Sequence, residues 1–180
     1  MTEKEEAAAG GVTAVRLDPR FRHEVMKFPG GETLKTCFQC GTCTSSCPVA
    51  RFSGSYRPRR ILQMAQLGMK SKVLSSEALW LCAACFTCTD RCPQGVEVAS
   101  VLRVLRNMAV AEGLIPAAYR ELASQVLATG YAYPITKTRL TKREQLGLPP
   151  LPEADLEALA GLTGATGFSG LREKWRSPSA

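Results

Sequence analysis

The sequence predicts an all-α protein whose principal domain spans residues 18–130. Three observations carry that prediction. Apolar residues recur at helical spacing in several segments, and prolines and glycines punctuate those segments. No period-two alternation occurs between or after two tight groups of cysteines. The length, 180 residues with 45% hydrophobic and 22% charged, suits one domain with extensions. Fifteen glycines and 11 prolines are near ordinary usage, so collagen-like and wholly disordered classes fall away. Aromatic residues make up only 7%, which points to a small core needing support besides packing.

Taken in order, residues 1–17 read as a flexible leader, with Val12, Val15 and Leu17 as a short strand or extended segment. Asp18-Pro19 suits the N-cap and first position of a short helix running to about Lys27. Pro29-Gly30-Gly31 ends it and leads into the first cysteine group. After Pro48 a polar turn is expected, and Pro58 then opens a helix with Ile61, Leu62, Ala65 and Met69 on one face and Gly68 as its stop. Ser75 or Ser76 caps another short helix, EALWLC, which enters the second cysteine group. From Val96 to Glu112 an apolar stripe of Val98, Val101, Leu102, Leu105, Met108 and Ala109 predicts a longer helix, with Arg103, Arg106 and Asn107 off the stripe. Gly113 stops it, and Pro116 begins a further helix ending at Gly130. Beyond Tyr131 the signals weaken: residues 148–152 read as a rigid linker and 153–160 as one more helix. The extension 131–180, with Tyr131, Tyr133, Phe168 and Trp175 as its aromatic punctuation, either contacts a partner or is loosely ordered.

The eight cysteines are the strongest signal. Cys37, Cys40, Cys43 and Cys47 precede Pro48; Cys82, Cys85, Cys88 and Cys92 precede Pro93. Both groups spell C-x2-C-x2-C-x3-C-P, the run that holds [4Fe-4S] clusters, and the second repeats the first at a constant offset of about 45 residues. Three thiolates at this spacing can wrap a curved loop around a cubane. The fourth, beside a proline that bars continuation of a preceding helix, leaves the loop and serves the other cluster. The expected ligand sets are therefore Cys37, Cys40, Cys43 and Cys92 for cluster 1, and Cys82, Cys85, Cys88 and Cys47 for cluster 2. Structural zinc is the weaker alternative, because it favours separated pairs, often with histidine, and His23 lies outside both groups. Disulfides are weaker still in a chain with no signal peptide, and no cysteine is left over as a nucleophile. The absence of such a signal, and of any run of about 18 apolar residues, leads to the expectation of a cytoplasmic protein without a membrane span.

The formal charge of +7 counts thiols as neutral. Two clusters with four thiolates each bring roughly −2 apiece, so the loaded protein carries roughly +3. Between Pro48 and Ser76 lie Arg51, Arg57, Arg59, Arg60, Lys70 and Lys72 with no acid among them. This stretch could steer an acidic partner, raise a cluster potential or bind phosphate, or form a plain solvated face. Nucleic acid is a second class for a basic patch, but no motif that reads DNA or RNA is present. Trp80, Phe38, Phe86, Val49 and Val96 read as apolar shields of the clusters, and Gly41 and Gly95 as turn positions. No phosphate loop, paired carboxylates or nucleophile triad occurs, so no catalytic residue is assigned.

The segments CFQCGTCTSSCPVA, YRPRRILQMAQLG, LWLCAACFTCTDRCPQGVEV and VLRVLRNMAVAEG together resemble the C subunit of heterodisulfide reductase over roughly residues 30–130. The resemblance implies an α-helical ferredoxin fold with two [4Fe-4S] clusters, held by all eight cysteines. It also implies a hetero-oligomeric complex in which the chain carries electrons between an A-like flavoprotein with clusters and a B-like catalytic subunit with CCG motifs. The iron–sulfur subunit of a glycolate- or succinate-oxidising enzyme, and a cluster-bearing regulatory or nucleic-acid-binding protein, are the alternatives.

Overall fold

The computed structural model describes residues 17–176; Val12 and Val15 of the expected extended segment lie outside them. Among the described residues there is no strand. Within the described residues eleven α-helices follow in order: α1 Phe21–Met26, α2 Thr42–Ser45, α3 Pro48–Phe52, α4 Pro58–Gln66, α5 Lys70–Leu74, α6 Thr87–Asp90, α7 Val98–Ala111, α8 Ala117–Thr129, α9 Lys137–Gln145, α10 Leu156–Ala165 and α11 Phe168–Arg176. Two 3-10 turns, Glu32–Thr36 and Glu77–Leu81, lead into the two cysteine groups. The all-α reading holds. Among the described residues no helix is long and apolar enough to cross a membrane.

The chain divides into two compact units after Arg106, within α7. In the first unit, α1 begins at Phe21 rather than at Pro19, because the Asp18 side chain accepts from the Arg20 backbone N–H and closes a turn ahead of the helix. Phe21 and Val25 are buried, and α1 packs on α4. Gly31 ends the connection to the first 3-10 turn at a point where a Cβ would come within 2.1 Å of the Val25 carbonyl oxygen.

α4 buries Ile61, Leu62 and Ala65, as its spacing predicts, but Met69 falls outside it at the N-cap of α5. Gly68 supplies the stop with φ +76°, and its carbonyl accepts from the Asp18 N–H at 2.7 Å. In place of the expected polar turn after Cys47, Pro48 starts α3, where its fixed φ and missing N–H suit a first helical position. The segment after Ser76 winds as a 3-10 turn and not as an α-helix. In α7, Val98, Val101, Leu102 and Leu105 are buried, each contributing about 1.5–3 kcal/mol on full burial.

In the second unit, α10 packs on α8 and α11. The Asp155 carboxylate caps α10 by accepting from the Ala158 N–H at 2.8 Å. Trp175, expected among the aromatic residues free to lie on a partner, is instead buried within its own unit. Its indole N–H donates to the Val110 carbonyl at 3.4 Å, and its ring meets Phe168 edge-on at 5.6 Å. Tyr131 donates its hydroxyl to the Pro152 carbonyl, whereas Tyr133 is exposed.

Candidate metal centre

The 45-residue repeat in the cysteines is also a repeat in the backbone. The 3-10 turns at Glu32–Thr36 and Glu77–Leu81 occupy matching positions, as do the single-turn helices α2 and α6. Gln39 and Ala84 match in a left-handed conformation (φ 66° and 50°), and so do Gly41 and Phe86 (φ 89° and 61°). Two left-handed residues flank the second cysteine of each group, which curls the backbone into a tight concave loop. Only one of the four is glycine, so the loops hold a conformation that costs energy for the other three side chains.

Each loop is tied down by the same devices. The Thr42 hydroxyl lies 3.3 Å from the Cys40 sulfur, and the Thr87 hydroxyl 3.5 Å from that of Cys85. Two residues on, Thr44 Oγ1 accepts from the Arg59 backbone N–H in the first turn of α4 at 3.0 Å. Thr89 Oγ1 accepts from the Ala99 backbone N–H in the first turn of α7 at 3.2 Å. Each cysteine loop thus caps the helix that follows it, from outside that helix.

At the other end, Gln66 donates to the carbonyls of Leu34 (3.0 Å) and Cys37 (2.9 Å). Arg106 donates to their counterparts, Leu79 (2.9 Å) and Cys82 (2.8 Å). The four threonines stand in the sequence at the cysteine offset, a signal that could have marked them. Arg106 sits off the apolar stripe of α7 and reads as a surface residue; the structure makes it a part-buried anchor of the second loop.

No disulfide joins any of the eight cysteines. Cys37, Cys40 and Cys43 line one cavity together with Cys92 of the other group, beside Pro93 and the apolar Leu62, Val96 and Val98. The thiols surround a space and do not converge on a point: among the described residues no three His, Cys, Asp or Glu side chains are placed for a single ion. A cavity bounded by four soft sulfur donors with an apolar back wall fits an iron–sulfur cluster. In the second set, Cys88 and Cys47 are buried, and Cys88 feels the charges of Cys82, Cys43 and Cys47. Tyr56 is fully buried beside the same group and hydrogen-bonds Cys82; burial, then that bond and the neighbouring thiolates, pushes its pKa up.

The thiols divide into two kinds. The Thr42 and Thr87 hydroxyls lower the pKa of the exposed Cys40 and Cys85, favouring the thiolates that bind metal. Burial raises Cys43 and pushes Cys88 up to about 11, so these two hold their protons more tightly and release them on binding metal. Of the expected shields, Val96 is buried in the cavity wall and Phe38 lines the same cavity while more than half exposed; Phe86 is more than two-fifths exposed. Trp80 lies under the Arg106 guanidinium at 5.7 Å.

The basic stretch is partly structural. Arg57 donates to the carbonyls of Ala50, Ser53 and Tyr56 and ties the end of α3, and Lys70 pairs with Glu24 at 3.4 Å. Arg59 lines the cysteine cavity.

Comparison with known proteins agrees with this geometry. Residues 33–96 match the 4Fe-4S dicluster domain. The C subunit of the H2:CoB-CoM heterodisulfide,ferredoxin reductase of Methanothermobacter thermautotrophicus is 39% identical, with 86% of each chain covered. The iron-sulfur C subunit of the CoB–CoM heterodisulfide reductase of Methanopyrus kandleri is 41% identical over 76% of this chain and 74% of its own. The C subunit of the ferredoxin:CoB-CoM heterodisulfide reductase of Methanosarcina mazei is 42% identical over 72% and 79%. With eight cysteines in two repeated loops and this domain match, the protein holds two [4Fe-4S] clusters. The chain belongs to the family of the iron–sulfur C subunits of heterodisulfide reductases.

Proposed function

We propose that this chain relays single electrons between an A-like flavoprotein with clusters and a B-like catalytic subunit with CCG motifs, in a hetero-oligomeric complex. One cluster is held by Cys37, Cys40, Cys43 and Cys92, the other by Cys82, Cys85, Cys88 and Cys47. The observation that carries this reading is the cavity in which three cysteines of one group meet the last cysteine of the other. Such exchange ties the two loops to each other and keeps the two sites a short, fixed distance apart, as a relay requires.

When bound, the clusters supply reversible one-electron storage at both sites. The chain's own residues hold and insulate them. Leu62, Val96 and Val98 keep water from the back of the first cavity, and Thr42 and Thr87 hydrogen-bond the exposed cysteines. Residues 18–130 form the electron-transfer domain and 131–180 an extension that contacts a partner. Chemistry at the disulfide belongs to the B-like subunit.

Two experiments test this. Anaerobic purification of the tagged chain from its host should bring down A-like and B-like proteins in fixed ratio; recovery of the chain alone at cellular concentration contradicts the relay. In the isolated protein, Cys92→Ala should disturb the cluster of Cys37, Cys40 and Cys43. Disturbance confined to the cluster of Cys82, Cys85 and Cys88 refutes the crossed ligand sets.

A further inference from the structure

The two repeats perform one task with side chains of different charge. Gln66, the last residue of α4, donates through one amide nitrogen to the carbonyls of Leu34 and Cys37 at 3.0 and 2.9 Å. The corresponding carbonyls of Leu79 and Cys82 receive Nε–H and Nη2–H of Arg106 at 2.9 and 2.8 Å. A neutral amide therefore braces the Cys37 loop and a guanidinium braces the Cys82 loop. Arg106 is part-buried, fixed by two hydrogen bonds and stacked over Trp80 at 5.7 Å. Hydrogen bonds to the sulfurs do not separate the two sites in the same way: the Val96 N–H donates to Cys92 at 3.3 Å and Gln39 Nε2 to Cys37 at 3.5 Å in the first set, and the Ala84 N–H donates to Cys82 at 3.4 Å in the second, so the difference in charge between Gln66 and Arg106 stands out.

We propose that Arg106 makes the cluster of Cys82, Cys85 and Cys88 the one of higher reduction potential. This deepens the relay reading and rests on it. Reduction adds one electron and one negative charge to a site, so a fixed, poorly hydrated cation beside it stabilises the reduced form. Net charge and hydrogen bonding to the sulfurs are the protein's means of setting such potentials. Two charges act in the opposite sense, Arg59 beside the first cavity and Asp90 near Cys85. Both side chains are exposed, where water and salt screen them, while Arg106 is part-buried and fixed by its two hydrogen bonds. An electron placed on the loaded chain therefore rests at the Cys82 loop.

The test is a redox titration, followed by EPR, of the anaerobically purified protein with its clusters in place. Cys85→Ser, which alters one ligand of the second loop, identifies the signal that belongs to it. Arg106→Gln installs the side chain that already performs this bracing in the first repeat, and Arg106→Lys keeps the charge without the forked geometry. The expected result is that Gln moves the higher of two reduction waves downward, Lys leaves it near its original position, and the lower wave stays. Equal shifts with Gln and Lys reduce Arg106 to a mechanical brace and overturn the proposal, as does movement of the lower wave alone. Should Arg106→Gln fail to load iron, Gln66→Arg must raise the lower wave, and an unmoved wave there overturns the proposal. Failure of the relay reading itself has a separate signature, a wild-type chain without two clusters' worth of iron and sulfide.

Discussion

Removing the Thr89 hydroxyl tests the claim that each cysteine loop caps the next helix. Thr89→Val keeps the shape of the side chain and deletes only the acceptor for the Ala99 N–H, now bonded at 3.2 Å. Ala99 is 7% exposed, so its N–H has no water to turn to. Loss of a cap costs about 1 kcal/mol, and leaving a buried donor unpaired adds about 1 kcal/mol more, giving about 2 kcal/mol in all. The matching substitution, Thr44→Val, frees the backbone N–H of Arg59, a residue exposed to solvent that can bond the group instead. Its cost should stay near the exposed-cap value of about 0.5–1 kcal/mol. For a chain of this length, those figures correspond to drops in Tm of about 4–8 °C for Thr89→Val and about 1–4 °C for Thr44→Val. Circular dichroism melts under anaerobic conditions, on preparations matched for iron content, measure both. A Thr44→Val penalty equal to or larger than that of Thr89→Val refutes the reasoning, because burial of the freed N–H is the only difference invoked.

Three further outcomes follow from the packing. Gly68→Ala places a Cβ 2.2 Å from the Asp18 carbonyl oxygen at φ +76°, whereas Gly95→Ala meets no atom within 4 Å at φ +62°. Gly95→Ala should therefore cost only the left-handed penalty of about 1–2 kcal/mol, and Gly68→Ala clearly more, compared by urea titration at equal iron content. Leu102→Ala, at a site 1% exposed on α7, should cost about 2–5 kcal/mol and accelerate the bleaching of cluster absorbance on warming. Removing iron with a chelator under reducing conditions should lower helical circular dichroism, since the left-handed loops at Gln39, Ala84 and Phe86 then lose the ligation that offsets their strain. An unchanged spectrum would mean that packing alone holds them.

The cysteine groups are legible in the sequence because ligand spacing is a local pattern that needs no tertiary knowledge. Helices α4, α7 and α8 are legible because each runs nine residues or more with glycine or proline at its limits. Among the shorter elements, α1 and the turn at Glu77–Leu81 are announced by Asp18-Pro19 and Ser76 ahead of them, but the turn at Glu32–Thr36 and helices α3 and α5 are not, because each spans only five residues, too few to display a period. They persist because tertiary bonds finish them: Gln66 and Arg106 close the two turns, and Arg57 takes up the last carbonyls of α3. α9 carries few apolar residues, and its sequence KTRLTKREQ gives no core-facing stripe to recognise.

Around the candidate site, the identity of the eight cysteines is legible and the environment that differentiates the two loops is not. Arg106 is indistinguishable on a helical wheel from its exposed neighbours Arg103 and Asn107; only the fold brings Leu79 and Cys82 within its reach. Tyr56 shows the same limit, because nothing local to it announces a hydrogen bond with Cys82, 26 positions on. Trp175 misleads for a related reason. An aromatic residue in a polar tail looks available for a partner until the unit that buries it is seen.

The most direct test of the central claim is iron, zinc and acid-labile sulfide analysis of the anaerobically purified chain, with EPR after reduction. The account predicts about eight iron and eight sulfide per chain, no zinc, and two reduced-cluster signals that interact with each other. Zinc without sulfide, or iron sufficient for a single cluster only, would contradict it.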